Sequence, residues 1–396
     1  MELFSDIVML SLEQATVLPY LSYRLAQDGV KVIRLEHPVY GDPNRMVGED
    51  VLKEERMYSY FLCINAGKMA ITLDLSQPEG KELLKELILK LNVSIFATNQ
   101  LPRNYKKLGI DYETLKAIKP DIIWVGITGF GPESNEAAYD PILQARSGLM
   151  ELTGEKDGFP QVLGIPLPDM GTSEHAYGQI MKALYKRAVT KEGSCIYLSM
   201  FQSSVSWLTV PITLTASFGK TITRRGNTHE FFAPVSVYET KDGYVYIAVG
   251  NDRQWKDIVS LEEFKVLDKP EYEKNKGRIS DVEKINATIN SITKNYSSEY
   301  LIKLFNSITV PISKINKIKD VLNDPYVLNS ILFSKDPKTN TQITLAPPPI
   351  MTEKLKESNR YMTFPPRFGE HNDEIYGKVL GLSKDKLNEL KEKKII

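Results

Sequence analysis

An α/β fold is predicted for this 396-residue chain, with a mostly parallel sheet first and a second, smaller domain further along. Three observations carry the prediction. Up to Arg187, apolar runs of strand length alternate with helical stretches, the pattern of a parallel sheet covered on both faces. Beyond Arg187 the alternation gives way to a hairpin pattern. The length also exceeds that at which one hydrophobic core stops growing.

Taken in order, "DIVMLSL" is a short apolar run suited to a buried strand, and a helix from Pro19 to Gln27 follows and closes at Asp28-Gly29. "VKVIRLE" is a second strand. "SQPEGKELLKELILKL" is a helix: Ser76 caps it, Pro78 sits near its first turn and its apolar residues fall at helical spacing. The strand "VSIFAT", a short helix at "YETLKAIK" and the strand "DIIWVGIT" complete this half. After Arg187 come the strand "GSCIYLSM", a helix over "FQSSVSWLTVPITL" and the basic turn "TITRRGNTHE". "FAPVSVYETKDGYVYIAVG" is two antiparallel strands joined at Lys241-Asp242-Gly243, because Asp-Gly favours a tight turn. With helices such as "SEYLIKLFNS", this hairpin defines the second domain, 225–335. A polar, Pro-rich passage over 334–360 leads back to the first domain, which comprises 1–224 and 336–396, and "DKLNELKEKK" is a solvent-facing terminal helix.

Composition narrows the function. The chain is 42% hydrophobic and 25% charged, which marks a globular protein rather than a disordered one. Its 50 basic and 50 acidic residues cancel, which argues against a nucleic-acid partner. Cys63 and Cys195 lack metal-ligand spacing and are expected as buried small hydrophobes. The start shows no basic region followed by a cleavable apolar segment, and the most apolar stretch, "VSWLTVPITLTASFG", is broken by polar residues and Pro. A cytoplasmic protein without a membrane partner is the expectation. The four histidines, His37, His175, His229 and His371, are isolated, so structural roles are expected of them and no metal site.

In parallel α/β domains ligands sit beyond the C-terminal ends of the strands. Gln14, Asp42, Arg45 and the loop "TGFGPESNEAAYD" all follow predicted strands. That loop is not GxGxxG, and no GxxxxGK[ST], HExxH or GxSxG occurs. Asp169, in "GIPLPDMGTSEHAYGQIMKALYKR", precedes a helical run. On local pattern it is either a helix-entrance charge stabilised by the dipole or a carboxylate nucleophile.

Longer stretches settle between these. "VKVIRLEHPVYGDPNR", "NAGKMAITLDLSQPEG", "LGIDYETLKAIKPDIIWVGITGFG", "YDPILQARSGLMELTG", the Asp169 stretch, "RRGNTHEFFAPVSVYETKDGYVYIAVGNDRQW", "VPISKINKIKDVLNDP" and "FGEHNDEIYGKVLGLS" together resemble the class III CoA-transferase family, over nearly the full length. The resemblance implies a Rossmann-like large domain, a smaller α+β domain and a homodimer of interlocked open rings. It places Asp169 at the family's nucleophile, which attacks an acyl-CoA to give an aspartyl mixed anhydride, and Gln14 at an active-site Gln. Arg45, Lys68, Asn99, Arg103 and Tyr139 fall at the expected CoA-binding surface, where a cation beside a phosphate makes a charge-assisted bond. CoA and acyl-CoA enter as substrates, with no tightly bound cofactor, and a carboxylic acid is the acceptor. The basic turn offers Arg224 or Arg225 to a second carboxylate, which tilts the acceptor toward a dicarboxylate. One departure stands out: "NQLPR" puts Leu101 where family members often have Arg. Two alternatives stay open. An α-methylacyl-CoA racemase has a His-Asp dipeptide where this chain has Tyr139-Asp140, and a Glu where it has Asp252. A non-catalytic acyl-CoA-binding protein would leave Asp169 idle.

Overall fold

The computed structural model describes residues 3–396, which form two compact units. The first runs up to Leu149, resumes from Val162 to Gly219 and returns from Pro325 to Ile396; the second comprises Met150–Gln161 and Lys220–Asp324.

The first unit is built on six parallel strands: β1 (Val8–Leu12), β2 (Lys31–Glu36), β3 (Lys68–Thr72), β4 (Ile95–Thr98), β5 (Ile123–Thr128) and β6 (Ser194–Ser199). Their order, β3-β2-β1-β4-β5-β6, is that of a doubly wound sheet and reverses direction between β1 and β4. Successive side chains point to opposite faces and both faces are covered, which is why the inner strands β4 and β5 are largely apolar without alternation. Met9, Val32, Ile95, Ala97, Ile123 and Val125 pack under α1 (Val17–Gln27) and the long α5 (Leu167–Thr190). Leu10, Ile33, Leu35, Phe96 and Trp124 pack under α2 (Pro78–Lys90) and α3 (Tyr112–Ile118).

This half also carries the helices α4 (Asp140–Arg146), α6 (Met200–Ser206) and α7 (Thr209–Phe218). The last two replace the single helix expected over 201–214. Pro211 has no N–H and its ring would clash with the carbonyl four residues back, so the chain restarts at Thr209 with Pro211 in the first turn. Cys63 and Cys195 are both exposed, contrary to expectation. Cys195 lies on β6, the sheet edge, whose side chains are alternately exposed.

The second unit holds an antiparallel sheet of β7 (Val235–Thr240), β8 (Gly243–Ala248) and β9 (Ile312–Lys314). The β7–β8 hairpin turns at Lys241-Asp242, and Asp242 ties it to the start of the helix that opens at Ser298 by accepting from Ser298 N–H and Oγ, both at 2.7 Å. The helices α8 (Asp252–Val259), α9 (Val282–Thr293) and α10 (Ser298–Ser307) close a core around Tyr238, Ile247, Trp255, Ile289 and Phe305.

The chain then returns to the first unit. The passage expected as a polar connection carries two antiparallel strands, β10 (Leu332–Lys335) and β11 (Gln342–Leu345), joined by β12 (Tyr361–Met362). Beyond it, the segment around Asn372 covers the outer edge of β3, and α11 (Lys384–Glu392) packs Leu387 and Leu390 into the core beside α2. No helix among the described residues is long and apolar enough to cross a membrane.

Candidate active site

At the C-terminal ends of β1 and β4, where the sheet order reverses, the chain leaves β1 through Glu13-Gln14-Ala15 and enters α1. Gln14 and Ala15 in this link are held by side chains from two other loops. Asn99, just after β4, accepts from Gln14 N–H at 3.2 Å and donates to Gln14 C=O at 2.8 Å. Asp42, after β2, accepts from Ala15 N–H at 3.0 Å, and Asn44 Nδ2 donates to Ala15 C=O at 2.6 Å. Ala15 is thereby kept at φ 62°, a left-handed conformation that a side chain disfavours. Gln14, Asn99, Tyr139, Asp140 and Asp169 all line one cavity of about 360 Å³ at this point.

Asp169 lies in the first turn of α5, after Pro168, a residue that suits a helix start. Ser173, one turn on, anchors this end: its Oγ lies 2.8 Å from Asp169 C=O and 2.6 Å from Val17 C=O of α1. Asp169 N–H donates to Asp140 Oδ2 at 3.2 Å. Burial, with Asp140 as a second cause, pushes the Asp169 carboxyl up to about 7. Burial also raises Asp140. The local pattern alone would have made Asp169 a charge comfortable at a helix entrance; its surroundings make ionisation costly instead.

Four of the expected site residues meet here: Gln14, Asn99, Tyr139 and Asp169. Asn99 does so mainly as the clamp on Gln14. Arg45, Lys68 and Arg103 do not line the cavity. Lys68 is buried and spends its three donors on Glu13 Oε1 (2.9 Å), Pro19 C=O (2.8 Å) and Asn65 Oδ1 (2.7 Å). Burial pulls its amine down to about 8 against the pull of Glu13. Arg45 is equally buried, grips Glu36 at 2.7 Å with both Nε and Nη2, and lies over the Phe61 ring. Neither has a donor left for a phosphate. Both brace Arg34, Glu36 and Asp42, the last of which holds Ala15. Arg103 is exposed, and its backbone N–H donates to Asn135. The pattern placed Asp42 after a strand without its bond to Ala15, and it missed Asn44 and Asp140 as parts of the site. Asp42 and Asn44 stand in "GDPNR" and Asp140 opens α4, so their types were visible and their partners were not.

All four histidines have partners. The Nδ1 atoms of His37, His229 and His371 accept backbone N–H groups, while His175 meets Ser203 Oγ at 2.8 Å and stacks on Trp207. No metal-binding group of three His, Cys, Asp or Glu occurs among the described residues.

The cavity wall holds three carboxylates, Glu136, Asp140 and Asp169, and no Lys, Arg or His. A neighbouring crevice of about 240 Å³ shares Gln100 and Asn104 with it and adds His37, Ser76 and Lys107. A carboxylate in such a place suits covalent catalysis: it is short of cations, so it gains by losing its charge to an acyl group.

Known proteins with this sequence pattern bear on that chemistry. The chain is 31% identical over 382 residues to the mouse (Mus musculus) succinyl-CoA:glutarate CoA-transferase, covering 94% of this chain and 85% of that protein. It is 30% identical to the succinyl-CoA:mesaconate CoA-transferase of Haloarcula hispanica, covering 88% and 90%. Among solved structures, a CAIB/BAIF family protein from Brucella suis superposes with a TM-score of 0.81 at 30% identity, covering 94% and 98%. The sequence profile of CoA-transferase family III matches residues 4–372. From β1 through the edge cover at Asn372, then, the chain belongs to CoA-transferase family III, and it is an enzyme that moves CoA between an acyl-CoA and a carboxylic acid.

Proposed function

We propose that Asp169 is the covalent nucleophile and that the acceptor is a dicarboxylate. The observation that carries this is the Asp169 carboxyl, raised to about 7 in a cavity at the sheet's switch point with no cation on its wall. Asp169 Oδ attacks the thioester carbonyl; the C–O bond forms, the C–S bond breaks and CoA leaves as thiolate. The thiolate then attacks the aspartyl carbonyl and frees the donor acid, leaving an aspartyl-CoA thioester. The acceptor carboxylate displaces CoA to give a second anhydride, and the thiolate takes the new acyl group and restores Asp169. Donor and product are both CoA thioesters of carboxylic acids, so the overall exchange is close to energy-neutral and needs no ATP. The Gln14 amide lines the same cavity, and in this reading it donates to the oxyanion of each tetrahedral intermediate.

In this reading the CoA nucleotide lies along the adjoining crevice, with Lys107 and His37 taking the phosphate role once expected of Lys68 and Arg45. The dicarboxylate preference is supported by the succinyl-CoA, glutarate and mesaconate in the relatives' names. Arg224 and Arg225 lend it little: Arg224 pairs with Glu151 and Arg225 with Glu230. Racemisation has no support in the site, since Asp252 is held by Arg278, which lowers its carboxyl below the usual range. A homodimer of interlocked rings belongs to the same proposal. It is supported by α7, an apolar helix with no buried residue, flanked by half-exposed Trp207.

The test is a trap. Protein incubated with succinyl-CoA and then hydroxylamine is expected to carry a hydroxamate at Asp169 by peptide mass analysis, and Asp169→Asn to carry none. The same assay run with glutarate, mesaconate and oxalate ranks the acceptors. Turnover of the wild type with no adduct, or turnover by D169N within about 10-fold of it, would sink the mechanism.

A further inference from the structure

Asp140 is buried, stands beside the proposed nucleophile and has no part in the steps above. Its carboxylate is fixed at both oxygens. Oδ1 accepts from Gln144 Nε2 at 2.5 Å, and Oδ2 accepts from Asp169 N–H at 3.2 Å. Gln144 is fully buried, and its Oε1 accepts from Leu163 N–H at 2.9 Å. Leu163 lies in the link that leads into α5. One side-chain relay therefore ties α4 to both the approach and the first turn of the nucleophile's helix.

The neighbouring charges do not neutralise this pair. From α4, Arg146 is turned to Glu136 at 2.8 Å. Thr16 and Val17, at the entrance of α1, bring no charge to the cavity, and Arg24 of α1 is spent on Glu174 at 2.9 Å. Asp28, beyond the end of α1, accepts from Tyr177. α6 carries no charged side chain. Asp140 is thus the charge acting on Asp169, and it has the same sign.

We propose that Asp140 is a positioning residue for Asp169: held by Gln144, it fixes the backbone of the nucleophile and opposes its negative charge, so acylation relieves a repulsion built into the site. The inference rests on Asp169 as nucleophile. A carboxylate placed against a second carboxylate is a stronger nucleophile when ionised, and its neutral acyl form is favoured relative to the charged one. The return of Asp169 to the free carboxylate at the end of the cycle restores the repulsion, so each turnover starts from a strained ground state.

The experiment compares wild type, Asp140→Asn and Gln144→Met. The rate of adduct formation from succinyl-CoA is followed against pH, and the C=O stretch of the protonated Asp169 carboxyl is titrated by infrared difference against D169N. In the wild type both midpoints are expected near 7. D140N is expected to move them down by roughly 0.5–1 pH unit and to lower the plateau rate about 10-fold. Q144M keeps the charge of Asp140 but loosens it, and is expected to shift the midpoints the same way by less, which covers the case of a D140N that does not fold. An adduct that still forms on Asp169 with unmoved midpoints overturns the role of Asp140 alone. Absence of any wild-type adduct overturns the nucleophile, and the role of Asp140 with it.

Discussion

Burial, with Asp140 beside it, pushes the Asp169 carboxyl from its ordinary 3.8 up to about 7, so the fold holds it at a cost once it ionises. The sign follows from proton binding. Between these values the folded state binds the proton and the unfolded state does not, so stability falls as pH rises from about 4 to about 7 and stays lower above. Asp169→Asn removes that cost. It is expected to raise stability at pH 8 by about 2 kcal/mol, after allowance for solvent screening, and to leave it unchanged near pH 3.5. Melting curves of the two proteins at both pH values check this; equal melting temperatures at pH 8 would refute it. The residue's local setting in the sequence hides this, because both the burial that raises the carboxyl and the added repulsion from Asp140, 29 positions earlier, arise only on folding. Lys68 and Arg45 mislead in the opposite way. Their charge is plain in the sequence, but their ion pairs with Glu13 and Glu36 bury it behind the site rather than offering it to a ligand.

At the level of elements, β3 shows how an exposed sheet edge is closed. Asn372 Oδ1 accepts from Thr72 N–H at 2.9 Å, its Nδ2 donates to Thr72 Oγ1 at 2.8 Å, and Tyr376 Oη donates to Thr72 C=O at 2.8 Å. His371 Nδ1 accepts from Ala70 N–H in the same manner. These side chains do the work of a neighbouring strand and block pairing with another chain. Asn372→Ala leaves a buried N–H without a partner and is expected to cost about 1–3 kcal/mol, read as a lower urea midpoint at unchanged slope. A change below about 0.5 kcal/mol would mean that water replaces the amide. Strands such as β4 and β5 were legible because burial on both faces writes a nearly unbroken apolar run. β10 and β11 were not, since they carry Ser334, Lys335, Gln342 and Thr344 in a small sheet with exposed positions. The helix break before Thr209 was legible in Pro211, though the apolar residues on either side argued for continuity.

For the molecule as a whole, the proposed dimer gives α7 its reason: ten residues of apolar helix with none buried would otherwise face water. Sedimentation is expected to return twice the 44.9 kDa chain mass, and Ile212→Glu on α7 to lower it toward one chain. A wild type that sediments at the monomer mass would rule the dimer out. The edge cover on β3 has a consequence of another kind, in the order of synthesis. Thr72 and its partner Asn372 stand 300 positions apart, with the whole second unit made between them. A ribosome that has finished every strand of the parallel sheet has still to make nearly half of the chain before that sheet's outer strand is closed. Through that interval the nascent protein carries an open sheet edge, and contacts of such long sequence separation form slowly.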